Sequence, residues 1–325
     1  MKIFEGVIRL TEDLNKIDEF AHKGELIDWW YFGGLLDKND TKVSEWTIIT
    51  NFVMARGFVD NLVCILIPPD KEPIDLSGWG LKAGCITAAD NKLNVVCQTN
   101  NWVTGAYPNW NLHMERTKDG HNYIIDIQFQ AEVDSNFRVY AIGKSKLGHF
   151  AVFRQRMNGK LTIDKDSFDI SGVAYYEHMY GFIDPKSSRG WFWYCIPQTK
   201  AGNLSINIAL GVSPQNEIFH KFVYFTEDGK NFGEFLNYNF EILEERSFEG
   251  VKYPFKFRIH EKNELGALEA VVTRTSNPNQ AMHNTPFGKI AFITGNAHVT
   301  GTIEWKGKKF DIDSRSIGSN FLIIY

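Results

Sequence analysis

The side chains best suited to moving protons stand together near the middle of the chain. Glu177 and His178 are adjacent in the segment GVAYYEHMYGFIDPKSSRGWFWYCIP, residues 172–197. Aromatic rings flank them in sequence, from Tyr175, Tyr176, Tyr180 and Phe182 to Trp191, Phe192, Trp193 and Tyr194. A carboxyl group placed among rings loses hydration, so its pKa rises and it can stay protonated near neutral pH as a general acid. The electron-rich ring faces could then stabilise a carbocation or hold a polyene. The competing reading is a hydrophobic core with a solvated Glu-His turn. Asp28, followed by Trp29, Trp30, Tyr31 and Phe32, is the equivalent candidate in the first half, and it too could be a surface charge or an ion-pair partner.

The common sequence handles for other chemistries are absent. There is no Walker loop, no GxGxxG after a strand, no GxSxG, no HExxH and no CxxC pair. The nine histidines are dispersed, and none pairs with another at ligand spacing. Neither a cofactor nor a metal is therefore expected. Trp102, Tyr107, Trp110 and His113 form a second aromatic-polar cluster, readable as a barrel-mouth loop.

The elements that must position these residues read as strands. IDWWYFGGLL and EWTIITNFVM flank the polar turn DKNDTK as a hairpin, with Asp28, Trp30 and Phe32 on one face and Trp29 and Tyr31 on the other. The same alternation puts Tyr175, Glu177 and Met179 on one face and Tyr176, His178 and Tyr180 on the other. Short apolar runs separated by Gly, Pro, Asn and Asp continue to the end of the chain. Only TEDLNKIDEFAHKGE, after Thr11, suggests a short helix, and SNPNQAMHNTP reads as the most irregular loop of the second half. A second four-ring run, Trp191 to Tyr194, follows the first after about half the chain. The repeat predicts an all-β protein of two similar domains in tandem, residues 1–170 and 171–325, each an antiparallel β-barrel or sandwich, with little helix. A closed barrel leaves an interior able to hold one small apolar ligand.

Composition fits that reading. The 325 residues are 14% aromatic, an excess of rings, and the net charge is -4 with Lys and Arg scattered, so no phosphate-tracking surface for nucleic acid is indicated. No segment reaches the about 18 uninterrupted apolar residues of a membrane helix, and charged residues interrupt the N-terminus where a signal peptide would be apolar. A soluble, cytoplasmic protein is expected, with Cys64, Cys85, Cys97 and Cys195 as buried free thiols.

The motifs DWWYFGGLLD, GVAYYEHMYG and GWFWYCI together resemble the two-domain lipocalin-like (calycin) family of carotenoid 1,2-hydratase, also called hydroxyneurosporene synthase, and AttH-like proteins. Lipocalin-like Diels-Alderases and isoprenoid cyclases are more distant relatives. The matching residues are Asp28 before Trp29, Trp30 and Tyr31; Tyr175, Tyr176, Glu177, His178, Tyr180 and Gly181 at the centre; and Gly190, Trp191 and Trp193 after them. The C-terminal part departs from the family pattern, with Asn296 where a glutamate is often found. The resemblance implies an enzyme that binds a hydrophobic polyene, terpenoid or polyketide-like molecule and carries out cofactor-free, proton-initiated hydration or cyclisation. Glu177 or Asp28 would donate the proton and His178, or a water it holds, would receive one. Trp30, Tyr31, Tyr176, Trp191 and Trp193 would shape and stabilise the cation, with Trp29, Tyr175 and Tyr180 also lining the pocket. The alternatives are a pericyclase that works by folding its substrate and a non-catalytic carrier of lipids or pigments.

Overall fold

A computed structural model describes residues 19–324 except 143, 185, 201–203, 216, 276, 277, 286 and 287. Among the described residues every regular element is a strand, and no helix is long and apolar enough to cross a membrane. The helix expected after Thr11 falls mostly outside the described residues; its described part, residues 19–25, is turn and irregular backbone leading into a strand.

The strands form two antiparallel sheets, and the two share one connectivity. In the first, the aromatic strand Ile27–Leu36 lies between Thr47–Ala55 and the last long strand of its unit, Asp166–Phe182. In the second, Gly190–Ile196 lies between Ser205–Val212 and the last strand, Lys308–Ile324. First-to-last pairing brings the ends of each unit together, so the chain is two lipocalin-like β domains in tandem. The two four-ring runs, Trp29 to Phe32 and Trp191 to Tyr194, hold the same place in their sheets. β-branched and aromatic side chains favour this half-buried pleated backbone.

Leaving aside the loop Pro69–Pro73, the first compact unit ends at Ser187 and the second begins at Ser188. The boundary expected at 170/171 falls inside Asp166–Phe182. That strand is paired in the first sheet on both sides of residue 170, so it stays whole within the first unit.

The first unit curls until side chains of Ile27–Leu36 and Thr47–Ala55 meet those of Asn109–Lys118, His121–Ala131 and Ser145–Ile163. Between Phe32, Ile48, Leu112, Ile127, Phe129 and Met157 there is no room for a water molecule. This part of the interior is therefore filled. The rings interlock, with Phe32 4.4 Å from Tyr176 and 4.9 Å from Phe129, and Trp110 5.0 Å from Tyr176, centroid to centroid. The core of the second unit gathers Phe192, Tyr194, Ile208, Leu210, Phe257 and Ile259.

Two local readings change. Within SNPNQAMHNTP, Asn279–Thr285 is a strand paired with Gly288–Trp305, because a hairpin partner satisfies backbone groups that the polar composition suggested would be solvated. The cluster expected as a barrel-mouth loop is mainly a hairpin, Asn101–Ala106 with Asn109–Lys118. Its alternation separates the residues: Trp102 stacks on His113 at 5.4 Å, whereas Trp110 is buried on the other face. All four cysteines are free; Cys64, Cys97 and Cys195 are buried and Cys85 is half-buried.

Candidate functional site

The register of Ile27–Leu36 against Asp166–Phe182 decides which predicted residues meet. Asp28 lies opposite Tyr180, Trp30 opposite His178, Tyr31 opposite Glu177 and Phe32 opposite Tyr176. Opposed residues of an antiparallel pair share a face. Asp28, Trp30, Phe32, Tyr176, His178 and Tyr180 therefore occupy one side of the sheet, and Trp29, Tyr31, Tyr175, Glu177 and Met179 the other, as alternation predicts.

On the interior side, Trp30 stacks on His178 at 4.7 Å and Tyr176 packs among Phe32, Trp110 and Phe150. These rings fill space. Asp28 is fully buried. Its Oδ1 lies 3.1 Å from His178 Nε2 and 3.4 Å from His22 Nδ1, and its Oδ2 accepts the His22 backbone N–H and the Arg56 guanidinium. Burial pushes the Asp28 carboxyl up, but hydrogen bonds from His178 and His22 and the charge of His178 outweigh it, leaving the pKa well below the usual carboxylate range. Asp28 is an anion inside an ion-pair cluster, and the proton-donor role expected of it is not supported. His22 closes the cluster by stacking on Tyr180 at 3.3 Å.

His22, Asp28 and His178 are metal-ligand types whose ligand atoms lie within 4.8 Å of one another. Arg56 on the same carboxylate already supplies a countercharge, so a divalent cation here would leave a buried excess of positive charge.

A different carboxyl has the raised pKa expected of Glu177. Glu19 is almost fully buried; it accepts the Tyr107 backbone N–H at 2.9 Å and the Trp110 indole N–H. Burial raises its pKa, and hydrogen bonds from Tyr107, Trp110 and Tyr176 together with the charge of His178 only partly offset the rise. No sequence signal marks Glu19, which sits in a polar stretch with a thin apolar face.

On the opposite side, Glu177 is 9% exposed and held by three donors. Trp29 Nε1 donates to Oε1 at 3.1 Å, the Tyr175 hydroxyl donates to Oε2 at 2.8 Å, and His149 Nε2 lies 3.0 Å from Oε2. The Tyr140 hydroxyl lies 3.4 Å from His149 Nδ1. A tautomer with the proton on Nε2 lets His149 donate to Glu177 and accept from Tyr140. Burial pushes the Glu177 carboxyl up, but the hydrogen bond and charge of His149, then Tyr175 and Trp29, bring its pKa below the ordinary value. Glu177 is thus a carboxylate, and the expectation of a raised pKa is corrected: His149, which only the fold brings near, and the polar ends of Tyr175 and Trp29 outweigh burial.

His149 is the partner that sequence reasoning missed. It comes from Ser145–Ile163, opposite Met179, and is a lone histidine in the apolar run GHFAVF. Gly148 beside it is required by close approach, since a Cβ there would lie 2.5 Å from the Tyr180 ring. Trp191 and Trp193 belong to the second unit, on the sheet face turned away from that unit's core; Trp191 stacks on Phe321 at 4.5 Å.

No protein-family model and no curated protein matches the sequence. Among solved structures, the chain is similar to an AttH protein from Nitrosomonas europaea, with a TM-score of 0.71, 11% identity and 98% of each chain covered. It is also similar to kievitone hydratase from Nectria haematococca, with a TM-score of 0.66, 13% identity and 91% of this chain and 88% of that one covered. CghA matches with a TM-score of 0.51 and 10% identity over the same shares. At these identities the likeness is one of fold, and it is the fold that the motif resemblance implies.

Proposed function

We propose that the chain is an enzyme that acts on a hydrophobic small molecule by cofactor-free proton transfer, as a hydratase or cyclase, with Glu177, His149 and Tyr175 as its proton-handling group. The observation that carries this reading is the Glu177 carboxylate, nearly buried yet not sealed, bonded at once to an imidazole, a phenol and an indole. The Asp28 and His178 pair is fully buried and committed to Arg56 and His22, which suits a structural role. One fold neighbour is named as a hydratase, which agrees with this chemistry.

In such a reaction His149, carrying a proton on each ring nitrogen beside the Glu177 carboxylate, passes its Nε2 proton to an alkene carbon and is left as the neutral imidazole. The positive charge formed is stabilised by the fixed carboxylate and by the faces of Trp29, Tyr31 and Tyr175. Water, or a second alkene carbon of the substrate, then supplies the electron pair. The proton released in that step returns to the His149 and Glu177 pair, which ends as it began. Trp30, Tyr176 and Tyr180, on the other face, support the sheet from behind.

Incubating the protein with a panel of prenylated phenols and linear polyenes in ¹⁸O-labelled water, with mass-spectrometric detection, tests the reading. Labelled hydrates or unlabelled isomers that disappear with Glu177→Gln are expected. Tight retention of a panel member with no conversion would replace the enzyme by a carrier, and conversion unchanged in Glu177→Gln would remove the assigned proton group.

A further inference from the structure

We propose that Arg274, Asn320 and Tyr194 form, inside the second unit, a receptor for the carboxylate of an apolar organic acid, independent of the Glu177 centre. The strand Gly266–Arg274 sends Leu268, Ala270 and Val272 into the core, and Arg274 continues that row although it carries a charge. It is 2% exposed, while the next residue, Thr275, is exposed to solvent.

A guanidinium keeps its proton at any physiological pH, so a buried one needs a counter-anion or a full set of acceptors. Arg274 has neither. Among the described residues it forms no ion pair, its Nε has no acceptor, and beyond its approach to the Tyr194 hydroxyl its hydrogen bonds are 3.5 Å contacts to the carbonyls of Gly318 and Ile293. Ring faces supply the rest of its surroundings, with Tyr194 and Tyr253 centroids at 5.4 and 5.9 Å.

Two further polar groups converge on it in the same state. Asn320 is fully buried, and neither its amide nitrogen nor its oxygen has a hydrogen-bond partner. The Tyr194 hydroxyl is buried and lacks a hydrogen bond of regular geometry, although Arg274 and Asn320 lie close enough to pull against the effect of burial on it. Three neighbouring side chains thus hold unspent donors, which a carboxylate, an acceptor on both oxygens, would use: two N–H groups from the guanidinium fork and one each from amide and phenol.

Gly295 and Gly318 lie directly opposite each other at this level, and their lack of side chains lets the Tyr194 ring and Pro278 approach the backbone beside Arg274. A Cβ on Gly318 would come within 2.4 Å of the Tyr194 ring, and one on Gly295 within 3.0 Å of Pro278 and 3.6 Å of Arg274 Nη1. The internal repeat sharpens the contrast. Asn320 lies opposite Phe192 as His178 lies opposite Trp30, so it holds the place of His178 in its own sheet. The first unit completes that place with the Asp28 carboxylate, whereas among the described residues the second offers Arg274 no acid. A single cation in a setting of Tyr253, Ile293 and Phe257 matches a monoanion with an apolar body better than a phosphate dianion.

Thermal unfolding of the full chain at fixed ionic strength, with sodium octanoate, octanol or sodium phosphate added, tests the proposal. Octanoate is expected to raise the midpoint with saturation, and the other two to leave it unchanged. Arg274→Met should abolish the octanoate response; should that variant not fold, Asn320→Leu, which keeps the charge, should weaken octanoate binding at least fivefold by calorimetry. No response to octanoate, an equal response to octanol, or a response that survives these substitutions would overturn it.

Discussion

His149 Nε2 lies 3.0 Å from Glu177 Oε2, and the two side chains reach each other from adjacent strands, Ser145–Ile163 and Asp166–Phe182. The contact turns a carboxyl group among rings from an acid into an anion, because the imidazole, the Tyr175 hydroxyl and the Trp29 indole together outweigh the cost of burial. On the proposed function, proton donation from this face therefore depends on a pair of groups.

Glu177→Gln keeps the shape and removes the charge. Loss of charge-assisted hydrogen bonds of about 1.5–3 kcal/mol each, partly restored by the amide, predicts a stability loss on the order of 1–3 kcal/mol. If the pair handles the proton, turnover on any accepted substrate falls by roughly 10²-fold or more. His149→Gln should lower turnover comparably while ligand binding changes little. Binding by calorimetry and product formation by mass spectrometry separate the two effects, and a variant that loses both in proportion has lost its fold.

Asp28 gives the acid limb of stability. Its pKa in the folded protein is below its unfolded value, so across that interval the folded state binds fewer protons and stability rises with pH. The contribution is complete above the unfolded pKa near 3.8 and is lost as pH falls through the folded one. Asp28→Asn, which strands the Arg56 guanidinium, is expected to cost about 3–5 kcal/mol at pH 7. Urea midpoints at pH 7, 4 and 3 should then fall less steeply in the variant than in the parent, and parallel slopes would show that Asp28 is not the titrating group.

The two faces of the aromatic strands are legible in the amino-acid order, because alternation alone assigns Asp28, Trp30 and Phe32 against Trp29 and Tyr31. Periodicity also exposes the repeat, since Trp191 to Tyr194 restates Trp29 to Phe32. What it does not supply is register between distant strands. Nothing local says that His149 will stand beside Glu177, or that Glu19 will reach Trp110 across the chain. The ionisation of Glu177 escapes sequence reasoning for the same reason: burial can be read from neighbours in sequence, whereas His149, which opposes it most, and Trp29 arrive from elsewhere. The filled interior beside Phe32 likewise depends on how Phe129 and Met157 interlock with it, which composition does not record.

Gly148→Ala tests the packing behind the candidate centre. The added methyl would lie 2.5 Å from the Tyr180 ring, which stacks on His22 at 3.3 Å and so cannot move without disturbing the Asp28 cluster. Overpacking of this kind costs about 1–3 kcal/mol. A drop in the urea midpoint is expected, and a midpoint equal to the parent's would mean that the Tyr180 ring yields freely.

Glu19→Gln should act in the opposite sense to Asp28→Asn. Burial raises the folded pKa of Glu19 above its unfolded value, so the folded state holds the proton more tightly. The stability this contributes is present below the unfolded pKa and is lost as pH rises through the folded one. Glutamine keeps one acceptor oxygen, for either the Trp110 indole that Oε1 accepts or the Tyr107 backbone N–H that Oε2 accepts, at a cost that does not vary with pH, and has no proton to lose. The stability of Glu19→Gln relative to the parent should therefore increase between pH 4 and pH 8 and level off once the parent's carboxyl has ionised. Chemical denaturation across that range measures the difference directly. A difference that stays constant would mean Glu19 titrates as it does in the unfolded chain, and one that shrinks with pH would mean its buried carboxylate is stabilised by the donors around it.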